Sequence, residues 1–205
     1  MEKIDMKQQK RALYSASAKR IDIVEVPAMQ FLMIDGAGDP NTSEAFHQGV
    51  EALYSLAYTV KFIVKKGPNA LDFAVMPLEG LWWAEDMSRF SMDRKSEWLW
   101  TLMIAQPDFI GEGLVTQASE AVGKKKDLPA LGKIRLESLV EDRCFQTLHV
   151  GPFSEEPATI ERLHAFIRAE GFRPYGKHHE IYLSDPRRTA PEKLKTILRQ
   201  PVLIA

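Results

Sequence analysis

The spacing of apolar positions changes along the chain, and each change predicts an element. Residues 1 to 20 are polar and basic, with Tyr14 their only aromatic. They read as an arm, too short for a DNA-binding domain. From Ile21 the text turns apolar: Ile21, Ile23, Val24 and Val26, then Pro27, then Met29, Phe31, Leu32, Met33 and Ile34. This predicts a strand interrupted near Pro27, because proline cannot donate to a ladder. Gly36-Ala37-Gly38-Asp39-Pro40-Asn41 is a turn cluster. It lacks the third glycine of a dinucleotide fingerprint, and no P-loop lysine follows. Ser43 is placed as a helix N-cap. Val50, Leu53, Ala57, Val60 and Val64 then recur at helical spacing, which predicts a helix over about residues 44–66. Gly67-Pro68-Asn69 stops it. Residues 71–83 read as extended, with a break at Pro77. A second apolar run from Trp98 to Ile104 is expected to be the antiparallel neighbour of that segment.

A helix precedes the second half, which begins after Gly132 and repeats the order. Residues 112–126 predict a helix with Leu114, Val115, Ala118 and Val122 inward, and Lys124-Lys125-Lys126 suits its C-terminal dipole. Strands are predicted over residues 133–139 and 144–150. The turn Gly151-Pro152-Phe153 follows, then a helix opening at Glu155-Glu156-Pro157 with Ile160, Leu163, Phe166 and Ile167 on its apolar face. Residues 178–184 form a further strand, ended by Asp185-Pro186. Thr189 and Glu192 make a capping box with Pro191 in the first turn, which predicts a short covering helix over about residues 190–200. Strand, glycine turn, helix and strand therefore occur twice. The expected fold is α+β: two pseudo-twofold-related strand-helix-strand-strand modules, about residues 21–110 and 130–188, in one domain spanning 21–205. The faces that the helices leave open would form a groove for a ligand.

Candidate chemistry gathers near that groove. On the last predicted strand, His178, Glu180 and Tyr182 share one face, while His179 and Ile181 share the other. If the Glu180 face lines a cavity it is a binding site; if it faces water it is ordinary surface. All four tryptophans, Trp82, Trp83, Trp98 and Trp100, lie in the two central apolar runs with Glu79 close by. Packing accounts for two of them, and an aromatic-walled cavity containing a carboxylate accounts for all four. Tyr54 and Tyr58 form a stripe beside the apolar face of the long helix. They either cap the edge of a core or point their hydroxyls into a pocket. The repeat places Glu79-Trp82-Trp83 and Glu180-Tyr182 in equivalent positions.

Composition narrows the classes. The chain has 205 residues, 45% of them hydrophobic and 27% charged, which suits a globular protein with a sizeable core. Its formal net charge of −1 gives no steering towards nucleic acid or an anionic membrane. No leader-like or membrane-length apolar run is present, so the expected location is the cytoplasm. Cys144 is the single cysteine, which excludes an internal disulfide, and it reads as a small buried hydrophobe. The histidines show no metal-ligand spacing, and no nucleophile elbow surrounds Ser184.

Several stretches resemble the gyrase-inhibitor-like (GyrI-like) small-molecule-binding family over about residues 20 to 200. They are Glu51-Ala52-Leu53-Tyr54 with Leu56-Ala57-Tyr58, Pro77-Leu78-Glu79-Gly80-Leu81-Trp82-Trp83, Trp98-Leu99-Trp100-Thr101, Gly151-Pro152-Phe153 and His179-Glu180-Ile181-Tyr182-Leu183-Ser184-Asp185-Pro186. The tryptophan segment and the final run are specific in combination. The resemblance implies the duplicated fold of multidrug-sensing effector domains, with Glu180 in an aromatic cleft. It also implies a relation to stand-alone cyclopropanoid hydrolases, which open electrophilic DNA-alkylating natural products. The site residues expected to act on such a ligand are Glu180 with Glu79 as its partner, and Tyr54 or Tyr182 towards the ligand carbonyl. Trp82, Trp83, Trp98, Trp100, Tyr58 and His178 would hold it. No cofactor or metal is expected. The partner is a small molecule, not nucleic acid or membrane. The competing readings are a drug-sequestering or sensor protein, and an inhibitor docking on a target such as DNA gyrase.

Overall fold

A computed structural model describes residues 3–68, 71–87 and 91–205. Asn69, part of the expected helix stop, lies outside the described residues. The chain runs β1 (Lys3–Ile4), α1 (Met6–Gln9), α2 (Arg11–Tyr14), β2 (Asp22–Val26), β3 (Met29–Ala37), α3 (Glu44–Lys66), β4 (Asp72–Phe73), β5 (Leu78–Trp83), β6 (Leu99–Ala105), α4 (Glu112–Gly123), β7 (Arg135–Leu139), β8 (Asp142–Val150), α5 (Glu156–Ala169), β9 (Phe172–Pro174), β10 (His178–Tyr182) and β11 (Lys195–Ile204). The class is α+β, as the sequence predicts. No helix among the described residues is long and apolar enough to cross a membrane.

Two compact units result, and they do not follow the contiguous modules expected. The first comprises Met1–Gln9, Met29–Met76 and Ala84–Leu139; the second comprises Lys10–Ala28, Pro77–Trp83 and Val140–Ala205. In the first unit β3 pairs antiparallel with β6 on one edge and β7 on the other. The long helix α3 starts where the Ser43 hydroxyl accepts from the Phe46 N–H, and buries Ala52, Leu53, Leu56, Ala57 and Val60. In the second unit the antiparallel order is β2-β8-β11-β10-β5, with β9 added beside the end of β11. One face of that sheet carries the core of Phe145, Leu198 and Val202, covered by Leu163 and Ile167 of α5. Burying these side chains stabilises the unit by roughly 1.5–3 kcal/mol each.

Two expectations are corrected. The C-terminal helix is a ten-residue strand, β11, and the capping box survives only as a single 3-10 turn over Pro191–Lys193. Seven of the ten residues of β11, the run from Thr196 to Val202, are buried, and such continuous burial belongs to a central strand. Pro201 is tolerated because it falls between two partners: β10 pairs with β11 up to Arg199, and β9 takes over at Val202. The N-terminal arm is not free. Leu13 and Tyr14 are buried, and the carbonyls of Ala12, Leu13 and Ser15 accept from Gln146 and Arg199 of the second unit's sheet. A polar segment can fold against a sheet when its backbone carbonyls meet buried donors.

Candidate functional site

Register decides which side chains meet. In the second unit Glu180 of β10 lies opposite Gly80 of β5, His178 opposite Trp82, and Ile181 opposite Glu79. Residues directly opposite share a face of the sheet, and neighbours along a strand alternate. His178, Glu180, Tyr182, Gly80 and Trp82 therefore share the face that α5 packs on. His179, Ile181, Glu79 and Leu81 share the other. The expected partnership of Glu79 with Glu180 is corrected by this register, because the sheet itself separates the two carboxyl groups.

On the α5 face the polar groups form a directional chain. The Trp82 indole Nε1–H donates to the Tyr182 hydroxyl at 3.0 Å, and that hydroxyl donates to Glu180 Oε2 at 2.7 Å. Gly80 makes room for this chain. A Cβ there would stand 2.7 Å from Trp82 Nε1 and 3.1 Å from the Tyr182 hydroxyl, so a glycine inside the strand marks a close approach. Burial, and then the charge and hydrogen bond of Glu180, hold the Tyr182 phenol well above its ordinary range, with the charge of Glu156 adding to the effect. Tyr182 thus keeps its proton and donates its hydrogen bond to Glu180. Phe153 meets the Tyr182 ring edge-on at 5.8 Å. The Glu180 side chain remains 14% exposed, and its Oε1 lies 3.4 Å from Nε2 of His178, which is itself only 3% exposed. Glu180 is therefore positioned through one oxygen and stays partly exposed.

The opposite face carries a buried charged network that sequence reasoning missed. His179 Nε2 lies 2.9 Å from Glu79 Oε2, and His179 Nδ1 lies 2.9 Å from Glu141 Oε2. Tyr14 donates to Glu79 Oε1 at 2.7 Å. Arg199 reaches Glu141 at 3.5 Å and donates to Gln146 Oε1 at 3.1 Å. Both imidazole nitrogens face carboxylates, so both carry protons. Burial opposes a charge on His179, yet Glu141 first and Glu79 next outweigh it and push the imidazole up to about 9. Burial likewise opposes the Glu141 charge, but His179 and Arg199 hold that carboxyl below its ordinary value. The only sequence signal was an arginine amid apolar residues near the C-terminus, and the helical reading of that segment hid it.

The remaining expected residues lie elsewhere. By alternation Trp83 falls on the His179 face, where the Lys177 ammonium sits 3.4 Å from its ring centroid. Trp98, Trp100, Tyr54 and Tyr58 belong to the first unit. There Trp100 is 1% exposed, stacked over Gly36 and edge-on to Phe46 at 5.4 Å, while the Trp98 indole donates to the Ser91 carbonyl at 3.0 Å. Tyr54 and Tyr58 run along α3 with ring centroids 6.4 Å apart, and Tyr58 is 48% exposed. Cys144 is buried in β8 and burial pushes its thiol up, which makes it inert. A separate cleft of about 620 Å³ opens beside the end of β8 and the start of α5. Its polar lining is largely engaged: His149 bonds Thr159 at 2.9 Å and Arg162 donates to Thr147 at 3.1 Å. The Glu180 cluster offers more available chemistry.

Comparisons with known proteins identify the family. The family model of the GyrI-like small molecule binding domain matches residues 19–203. An uncharacterised conserved protein from Listeria innocua is 42% identical, with a TM-score of 0.90, over 98% of this chain and 100% of that one. A hydrolase from Listeria innocua is also 42% identical, with a TM-score of 0.88 and the same coverage. The EcmrR C-terminal domain, 11% identical with a TM-score of 0.58 over 91% of this chain and 98% of that one, shares the fold. A search of curated proteins finds no match.

Proposed function

Because this chain belongs to the GyrI-like small-molecule-binding family, we propose that it binds a planar, amphipathic small molecule over the Glu180–Tyr182–Trp82 cluster and hydrolyses electrophilic cyclopropane-bearing compounds there. The relative from Listeria innocua described as a hydrolase supports the enzymatic half of this reading. The observation that carries it is the chain from Trp82 through Tyr182 to Glu180, which fixes one carboxylate oxygen and leaves the other for chemistry.

The steps follow from those atoms. Glu180 Oε1 takes a proton from water, and the water oxygen bonds to a cyclopropane carbon. The strained C–C bond breaks, and its electron pair moves through the conjugated ring to the carbonyl oxygen, which ends as a phenol after taking a proton from solvent. Aromatisation supplies most of the driving force. General-base assistance of roughly a hundredfold to ten-thousandfold then suffices. Tyr182 acts here through Glu180, because its proton is directed at the carboxylate and not at a ligand carbonyl. Glu79 takes no part in this scheme, since Tyr14 and His179 occupy its two oxygens.

The test uses tryptophan fluorescence and product analysis with a cyclopropane-containing DNA alkylator, on wild type and Glu180→Gln. Quenching with ring-opened product that is lost in the variant supports the hydrolase. Quenching without product leaves a drug-sequestering protein. Absence of quenching defeats the site.

A further inference from the structure

We propose that His178 shares a proton with Glu180, accepting the one that Glu180 removes from water and so resetting the base for the next turnover. This inference rests on the reading of Glu180 as a general base. Its basis is a contrast among the histidines of the second unit. His149 engages Thr159 through Nδ1 and the Pro152 carbonyl through Nε2. His179 engages Glu141 and Glu79. His164 engages Gln200. His178 is 3% exposed, and neither of its ring nitrogens makes a hydrogen bond in the structure. Leaving a buried polar group unsatisfied is costly, and such a group in a folded protein calls for an explanation.

The surroundings supply one. Nε2 of His178 stands 3.4 Å from Glu180 Oε1, the oxygen that Tyr182 does not hold. The strand places residues 178 and 180 on one face, two apart, so this approach is built into β10. At that separation a turn of the imidazole, not a change of distance, makes the contact a hydrogen bond along which a proton can pass. The groups that face this pair are known. Trp82 of β5 lies opposite His178, and Glu156 of α5 acts on Tyr182. His164 of α5 is held below its ordinary value by burial first and by His178 next. Among the described residues, His178 is the imidazole recorded beside Oε1. It is a positioning and relay residue, not one that touches the reacting carbon.

The experiment has two arms. In the first, imidazole nitrogen resonances are recorded for wild type, Glu180→Gln and, for assignment, His178→Gln. The His178 signals are expected to move on Glu180→Gln while those of His149 stay. Unmoved His178 signals would overturn the pairing. In the second, the cyclopropane-containing alkylator is the probe. His178→Gln is expected to quench as wild type does, within about twofold, but with kcat lowered by roughly 10- to 100-fold and KM unchanged. Added imidazole is expected to restore part of the kcat of His178→Ala. A kcat within twofold of wild type, or a loss confined to KM, would refute the relay. If wild type binds the alkylator without turning it over, the hydrolase reading falls and the relay with it; the resonance arm still decides whether the two side chains are paired.

Discussion

Replacing Glu141 by Gln tests the buried network through pH. His179 rises from 6.5 to about 9, with Glu141 the largest of the attractions that oppose its burial. That rise corresponds to roughly 3 kcal/mol favouring the charged imidazole in the folded protein, as an order of magnitude. A raised histidine stabilises fully below 6.5 and loses that contribution as pH climbs through about 9. Glu141 is held below its ordinary 4.5, so its own contribution is present above 4.5 and disappears as pH falls through the lowered value. The cost of Glu141→Gln is therefore expected to peak between 4.5 and 6.5. There it should reach roughly 3–5 kcal/mol, the cost of breaking a buried ion pair. Towards pH 10 it should shrink by about 2 kcal/mol, because the neutral imidazole no longer needs the carboxylate. Urea denaturation of both proteins across this range measures the difference, and groups that titrate equally in both cancel. An equal cost at pH 6 and pH 10 would refute the charged state of His179.

Three further perturbations separate site from core. Gly80→Ala should displace the Trp82 indole and weaken quenching by the alkylator about tenfold, while stability falls by no more than about 2 kcal/mol; unchanged quenching would show that the indole's position is irrelevant to binding. Tyr182→Phe removes the donor to Glu180 Oε2 and should lower kcat about tenfold at nearly constant KM, as single-turnover kinetics would report. Gly36→Ala puts a methyl 2.0 Å from the Trp100 ring in a packed site, and should cost about 3 kcal/mol or more in a denaturation experiment. A near-neutral result there would mean that Trp100 is loosely held.

What the sequence determined by itself was local. Alternation and helical spacing placed β3, α3, β5, β6, α5 and β10 close to their observed bounds, because each carries a periodic apolar face and a turn residue at its end. The motif residues carried the family, and alternation along β10 alone put His178, Glu180 and Tyr182 on one face. The tertiary structure decided the partners. Register between β5 and β10 put Gly80, not Glu79, beside Glu180, and no local pattern encodes register between strands about a hundred residues apart. Lys195–Ile204 became a strand because edges on β8 and β10 bind its backbone on both sides; by propensity alone its start reads as a capped helix. Tyr14 and Arg199 became buried for the same reason: each carries a polar group that only a long-range partner satisfies once water is gone.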